Sequence, residues 1–254
     1  MANAKEILEQ NRQSWNTVAH HFNGKDALPS YGPYTQTEEE LKLFEDLQGK
    51  RVLEIGYGSG HSLKYMASRG AKELWGVDLS DSQKNAAEEL LKDQNPQLFC
   101  AAMETDINLP KHYFDYVYSI YAIGWTTDLS VTFKLIYSYL KDGGSLIFSW
   151  DHPLYANLKS ENGRVHLEGS YQLEGEKLME NFKGEKVDMV IHRRKMATYI
   201  NELINAGFSI DTVIESDVSA AFEKEEAEVS DRYYSLYKAR KFPTTMIIKA
   251  SKRS

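Results

Sequence analysis

The chain has 254 residues, enough for one large domain with a substantial core. Its net charge of −7 argues against a nucleic-acid partner, and its single cysteine, Cys100, excludes an intramolecular disulfide and fits a reducing compartment. The first residues carry no apolar signal-peptide run and no segment reaches the roughly 20 apolar residues of a membrane span, so the expectation is a soluble, cytoplasmic protein with no membrane partner.

Ile7, Leu8, Trp15, Val18, Ala19 and Phe22 recur at helical spacing and predict a helix over 5–22. Residues 23–37 hold Pro29, Pro33, two glycines, Tyr31 and Tyr34, and read as a loop. A second helix over about 37–48 leads to Gly49. A regular alternation follows: strand 51–55, helix 60–69 stopped at Gly70, strand 72–78, then a helix opened by the capping-box pattern Ser80-Asp81-Ser82-Gln83. Strand 97–101 contains Cys100, read as a small core residue. Strand 114–120, helix 128–141, a turn through Asp142-Gly143-Gly144 and strand 145–150 complete the run. Strands alternating with helices imply a parallel sheet covered on both faces.

From Asp151 to about Ile191 the rhythm breaks. Glycines at 163, 169, 175 and 184 punctuate short, charged, alternating segments, which predict hairpin strands in an insertion. A helix over about 195–205 ended by Gly207, a strand over 208–215, a polar helical stretch over 217–240 and a last strand over 244–250 follow, with Pro243 acceptable at a strand start.

The most informative run is Val52-Leu53-Glu54-Ile55-Gly56-Tyr57-Gly58-Ser59-Gly60, with Asp78 eighteen positions after the last glycine. Glycine lets the main chain turn tightly and approach a ligand, and an acid at the tip of the next strand suits ribose hydroxyls. The dinucleotide fingerprint is G-x-G-x-x-G, whereas this run is G-x-G-x-G with His61 where the third dinucleotide glycine belongs. Glu54 adds negative charge that would repel a pyrophosphate but suits a cofactor with a cationic end, such as S-adenosylmethionine (SAM). With Glu54, the glycines and Asp78 in register, the chain resembles the class I SAM-dependent methyltransferases, in the small-molecule branch with a type 11/25-like domain. Phe114-Asp115-Tyr116-Val117-Tyr118-Ser119 is similar to that family's fourth-strand motif. Leu140-Lys141-Asp142-Gly143-Gly144-Ser145-Leu146-Ile147 is similar to its "LKPGG" turn and fifth strand, with Asp142 in place of proline. Asn11-Arg12-Gln13-Ser14-Trp15-Asn16 and Ala19-His20-His21-Phe22 are similar to its N-terminal helix.

The resemblance implies an α/β, Rossmann-like class I methyltransferase fold: a seven-stranded, mostly parallel sheet with an antiparallel last strand, an N-terminal helical cover and a β-hairpin insertion after strand five. In one domain, 1–49 would form the cover, 50–150 the SAM-binding core, 151–191 the insertion on the substrate side, and 192–254 the last helix and sheet edge. The implied reaction transfers the SAM methyl to an oxygen, nitrogen or carbon of a small molecule and releases S-adenosylhomocysteine (SAH). Expected cofactor contacts are Glu54, Gly56, Gly58, Gly60, Asp78, Leu79, Met103 and Glu104. The segment Ala101-Ala102-Met103-Glu104 departs from the many members that place an acid after the third strand for the adenine amino group, and Met103 is expected to pack against the adenine face. Ser119, Ile120 and Tyr121 end the fourth strand beside the switch point and are expected to line the pocket.

Trp150-Asp151-His152-Pro153 ends the fifth strand and faces the same crevice. His152 titrates near neutrality and could serve as general base, or it could orient the loop before Pro153, with Asp151 steadying either role. Tyr31, Tyr34, Tyr155 and Arg193 are expected to face the acceptor. His192-Arg193-Arg194-Lys195 sets positive charge at a predicted helix start, unfavourable by about 0.3–1 kcal/mol per group. Either an anionic ligand or an acid of the insertion, such as Glu185 or Asp188, would answer it. His20 and His21 lie on the cover, and no Cys/His spacing supports a metal site. Two other readings stay open: a nicotinamide-dependent oxidoreductase, which Glu54 and His61 oppose, and a SAM-binding protein without catalysis.

Overall fold

The first helix ends earlier than its apolar spacing suggests. In the computed structural model, which describes residues 3–230 and 232–253, α1 spans Ala4–Val18 and a 3-10 turn carries the chain to Phe22. Asn3 and Glu6 start it as a capping box, each side-chain oxygen accepting the other's backbone N–H at 3.0 Å. The second predicted helix shrinks to one turn, α2 (Glu38–Leu41). Lys42 adopts a left-handed conformation, and the Glu38 carboxylate captures the N–H groups of Leu43 (3.1 Å) and Phe44 (2.9 Å), so the helix cannot propagate.

The alternating core follows as β1 (Arg51–Ile55), α3 (His61–Ser68), β2 (Glu73–Asp78), α4 (Asp81–Leu90), β3 (Gln97–Cys100), β4 (Phe114–Ile120), α5 (Leu129–Tyr139) and β5 (Leu140–Asp151). The insertion supplies two hairpins, β6 (Leu158–Glu161) with β7 (Arg164–Leu167), and β8 (Gly175–Phe182) with β9 (Glu185–Arg193). Then come α6 (Met196–Ala206), β10 (Ser209–Glu215), α7 (Leu236–Ala239) and β11 (Thr245–Ser251).

The seven strands lie in the order β10-β11-β5-β4-β1-β2-β3. Only β11 runs against its neighbours, pairing antiparallel with both β5 and β10. Period-two alternation sends Leu53, Val117, Phe148 and Ile248 to one face, against Phe133, Ile136, Tyr199 and Leu203 of α5 and α6. It sends Val52, Tyr118, Ile147 and Ile247 to the other, with Leu63 and Met66 of α3 and with Tyr31 and Phe44. Both faces are dry, as parallel sheets require. Strand order reverses at β1, which pairs with β2 on one side and β4 on the other, so a crevice opens at the carboxyl ends of these strands.

Three expectations need correction. Asp142-Gly143-Gly144 is not a turn before the strand but lies inside β5. Between the pairs Phe114–Leu140 and Tyr116–Ser145, β4 advances two residues while β5 advances five, and the excess bulges out. The stretch 217–240 is mostly irregular, with a 3-10 turn at Ala220–Phe222 and the short α7. Its acidic run offers no apolar stripe, and Arg240 draws it in by donating to the carbonyls of Phe222, Glu223 and Glu225. Cys100 is exposed, because β3 is an edge strand with one neighbour.

The N-terminal cover and the insertion form one roof. The Asn11 side chain accepts from Val190 N at 2.7 Å and donates to Val190 O at 2.9 Å, closing the exposed edge of β9 as another strand would. Ser14 Oγ donates to Asp188 O at 2.6 Å, and Trp15 stands edge-on to Trp125 at 5.1 Å. His20 and His21 both bring Nε2 to Glu185 Oε1, at 3.1 and 2.8 Å. These three offer possible metal-ligand atoms within 4.8 Å of one another, a grouping no sequence spacing announced. Among the described residues no helix is long and apolar enough to cross a membrane.

Candidate functional site

The turn after β1 gives its three glycines three different tasks. A Cβ at Gly56 would strike the Ala122 Cβ at 2.2 Å, so this glycine lets β1 and the end of β4 close together. One at Gly60 would press on Ala87 and Leu91 of α4 at 3.0 Å, so Gly60 serves helix packing and lies outside the cavity wall. Gly58 alone faces open space: its φ is +54° and a Cβ there would meet nothing within 4 Å.

Asp78 fastens that turn. One carboxylate oxygen accepts from Gly58 N and the other from Ser80 N, both at 2.9 Å. Burial raises the Asp78 carboxyl above its usual range, and the backbone donors oppose this. Glu54 is buried beside it, accepting from Ser62 Oγ and, at 3.1 Å, from Tyr118 OH. Burial pushes Glu54 up to about 8 against both bonds, with the charge on Asp78 adding to the shift. Among the described residues no basic side chain pairs with either acid. Two desolvated acids without a counter-ion make a site for a cationic ligand.

They open onto a cavity of ≈ 1400 Å³. Leu79, Met103 and Glu104 continue the wall from Asp78. Glu104 Oε1 accepts from Thr127 N (2.8 Å) and Thr127 Oγ1 (2.5 Å), while Oε2 is buried with no partner. An orphaned, buried acceptor calls for a donor from a ligand, and the adenine amino group is such a donor. Gly58, the paired acids and this lone oxygen together fit SAM. Ser119 does not join the wall; it is fully buried behind it with an unpartnered hydroxyl.

The far end of the cavity centres on Asp151, whose reach to the crevice follows from its place at the tip of β5. Its Oδ1 accepts from Tyr121 OH and from Tyr234 OH at 2.5 Å, and its Oδ2 from Tyr233 OH at 3.0 Å. Burial raises this carboxyl and the three phenols oppose the rise. Tyr121 holds a left-handed φ of +56°, which is uncommon for a bulky residue and marks strain at the end of β4. Trp125 and Trp150, with rings 6.0 Å apart, wall the same end.

His152 also lines the cavity, but both ring nitrogens are engaged. Leu154 N can only donate, so Nδ1 accepts from it at 3.3 Å, and Nε2 donates to Glu215 Oε1 at 3.0 Å. Burial lowers its pKa. The ring therefore orients the turn into Pro153.

The expected tyrosines stand elsewhere. Tyr31 is fully buried, its phenol spent on Glu38 Oε2 at 2.5 Å. Tyr34 turns to Phe222, edge to face at 5.2 Å. Tyr155 is fully buried and stacks behind Tyr234 at 5.8 Å. None of the three is in the cavity wall. Arg193 is, whereas Arg194 donates to the carbonyls of Thr126 (2.6 Å) and Gly124 (3.4 Å). Lys195 faces Glu174 at 3.8 Å, so an acid of the insertion does answer its charge, one other than Glu185 or Asp188. Wall residues that sequence reasoning missed include Tyr233, Tyr234, Trp125 and Lys177. The only sequence hint was the tandem tyrosine in a stretch mistaken for a polar helix.

A family model described as a methyltransferase domain matches residues 34–211. An uncharacterized protein of Haemophilus influenzae is 30% identical over 190 residues, covering 69% of this chain and 73% of that protein. A candidate S-adenosylmethionine dependent methyltransferase of Listeria monocytogenes superposes with a TM-score of 0.72 at 26% identity, over 85% of this chain and 96% of that one. The malonyl-[acyl-carrier protein] O-methyltransferase of Priestia megaterium is 30% identical over 99 residues, 39% of this chain, and the match spans only 35% of that enzyme's length.

Proposed function

Because this chain belongs to the methyltransferase-domain family and uses SAM as its cofactor, we propose that it methylates a small molecule bound at the Asp151 end of the cavity, releasing SAH. The observation that carries this reading is the continuous cavity of ≈ 1400 Å³ running from the glycine turn to the roof. A pocket for one drug-sized ligand spans about 300–1,000 Å³, so cofactor and acceptor can be held together. Bound SAM supplies an electrophilic methyl for in-line displacement.

The chain's own groups do the rest. Glu54 and Asp78 hold positive charge and ribose, and Glu104 Oε2 accepts from the base. The roof of α1, β8 and β9 excludes water and positions the acceptor. Asp151 accepts the acceptor's proton: burial raises its affinity for one, the phenols of Tyr121, Tyr233 and Tyr234 oppose that rise, and its oxygens retain lone pairs beyond those the phenols use. The test is SAH release from SAM with a library of small acceptors. Asp151→Asn should lower kcat by about 10²–10⁴-fold, the usual range for a lost general base, with SAM affinity within threefold. His152→Ala should lower the melting temperature and leave kcat within tenfold. The opposite pattern would return the proton transfer to His152.

Glu54 also makes cofactor binding pH-dependent. Without ligand its carboxyl stays protonated below about 8. A cation beside it favours the ionised form, so binding expels a proton and affinity rises with pH until about 8, then levels. The expected slope below that point is about tenfold per pH unit. For the free protein the sign is reversed: the raised carboxyl contributes stability below its ordinary range that is lost as pH rises through about 8. Calorimetric titration of SAM between pH 6 and 9 checks this, and Glu54→Gln should flatten the profile. A flat profile in the wild-type chain would remove the cation-binding role of Glu54.

A further inference from the structure

The insertion contributes more than a roof. In the β8–β9 hairpin Gly175 pairs with Arg193 and Lys177 with Ile191. Residues two apart on a strand share a face, so Lys177 and Arg193 project from the same side as diagonal neighbours. Both line the cavity. Gly175, opposite Arg193, leaves room there: a Cβ on it would meet nothing within 4 Å.

What distinguishes this pair is the absence of a partner. Arg194 and Lys195, next in sequence, are taken up by carbonyls and by Glu174. Arg193 Nε is buried with no hydrogen-bond partner, as is Nδ1 of the neighbouring cavity residue His192. Among the described residues neither Lys177 nor Arg193 has an acid within ion-pair distance. Asp151, the carboxylate whose charge acts on Lys177, is not within ion-pair distance of either cation and is held instead by three phenols. Burial and the charges of Arg193 and Lys159 lower the Lys177 ammonium below its usual pKa, with only a smaller opposing effect from Asp151. Lys177 is exposed and Arg193 half-buried, but Arg193 Nε itself is shut off from water, and a buried donor without a partner is unfavourable unless an acceptor joins it. A guanidinium edge with a free Nε–H is the fork that carboxylates and phosphates accept from.

We propose that Lys177 and Arg193 form an anion subsite at the acceptor end of the cavity, so that the methyl acceptor is a small molecule bearing a carboxylate or phosphate group. This rests on the methyltransferase reading above. The subsite would hold the acceptor's anionic end and leave its nucleophile toward Asp151 and the cofactor.

The experiment uses the full chain saturated with SAH, titrated calorimetrically at low ionic strength with inorganic phosphate and with acetate. Saturable one-to-one binding of at least one of them is expected, weakened at least tenfold in Arg193→Gln and in Lys177→Gln. It should be unchanged in Lys92→Gln, a surface change on a lysine paired with Glu89. Tighter phosphate than acetate would identify a phosphate-bearing acceptor, and the reverse order a carboxylate. No saturable binding of either anion to a chain that binds SAH normally, or equal binding by all three variants, would overturn the subsite alone. A chain that fails to bind SAH would overturn the methyltransferase reading and the subsite with it.

Discussion

Gly58→Val should abolish measurable SAM binding while leaving the chain folded. The left-handed backbone at Gly58 costs an L-residue about 1–2 kcal/mol, and a β-branched side chain suffers most. That strain alone should lower the melting temperature by only about 2–4 °C per kcal/mol in a chain of this size. The protein itself does not forbid the side chain, since nothing lies within 4 Å of the added Cβ. What the valine would fill is the cavity beside Asp78, and straightening the turn to relieve strain would pull Gly58 N from its 2.9 Å bond to that carboxylate. Together these should weaken SAM by at least 100-fold, about 2.8 kcal/mol. Gly49→Val is the control: its φ is +72°, a Cβ there also meets open space, and it lies away from the cavity. It should lose similar stability and keep its SAM affinity. If Gly58→Val bound SAM as tightly as wild type, the glycines would serve only the turn.

Asp78→Ala should be nearly as severe. A charge-assisted hydrogen bond contributes about 1.5–3 kcal/mol, so losing one bond to the ribose already costs ten- to a hundredfold in affinity. The alanine also strands Gly58 N and Ser80 N, both now held at 2.9 Å, and the turn that shapes the cofactor end should loosen. A loss of at least 100-fold is therefore expected by calorimetry. Asp78→Asn keeps one acceptor oxygen without the charge and should fall between the two. Its amide nitrogen cannot accept, so either Gly58 N or Ser80 N loses its partner, and the asparagine variant should melt lower than wild type without ligand. Unchanged SAM affinity in the alanine variant would remove Asp78 from the cofactor site.

The cofactor end was legible in the sequence because its determinants are local. Residues 51–78 form one strand–turn–helix–strand unit, β1 and β2 pair directly, and the Gly58–Asp78 bond closes over twenty positions. Glycines at a tight turn and an acid at a strand tip have few other uses, so residue type and spacing together carried the inference. Glu54 and Glu104 belong to the same local register, one within β1 and the other just after β3.

The Asp151 end of the cavity and its roof depended on the tertiary structure. Asp151 meets Tyr233 and Tyr234 across 82 and 83 positions, and His21 meets Glu185 across 164. Such pairings are set by how the insertion and the C-terminal stretch fold back over the sheet, which no periodicity records. Tyrosine adds a further ambiguity, because a phenol suits a core and a cavity wall equally. Tyr31 and Tyr155 went to the core while Tyr233 and Tyr234 went to the wall. The acid within reach of its hydroxyl holds Tyr31, Tyr233 and Tyr234, whereas Tyr155 is fixed by ring packing against Tyr233 and Tyr234. Charge was no clearer: in Arg193-Arg194-Lys195 the residue type is nearly constant, and only the hairpin register left Arg193 facing the cavity without a partner.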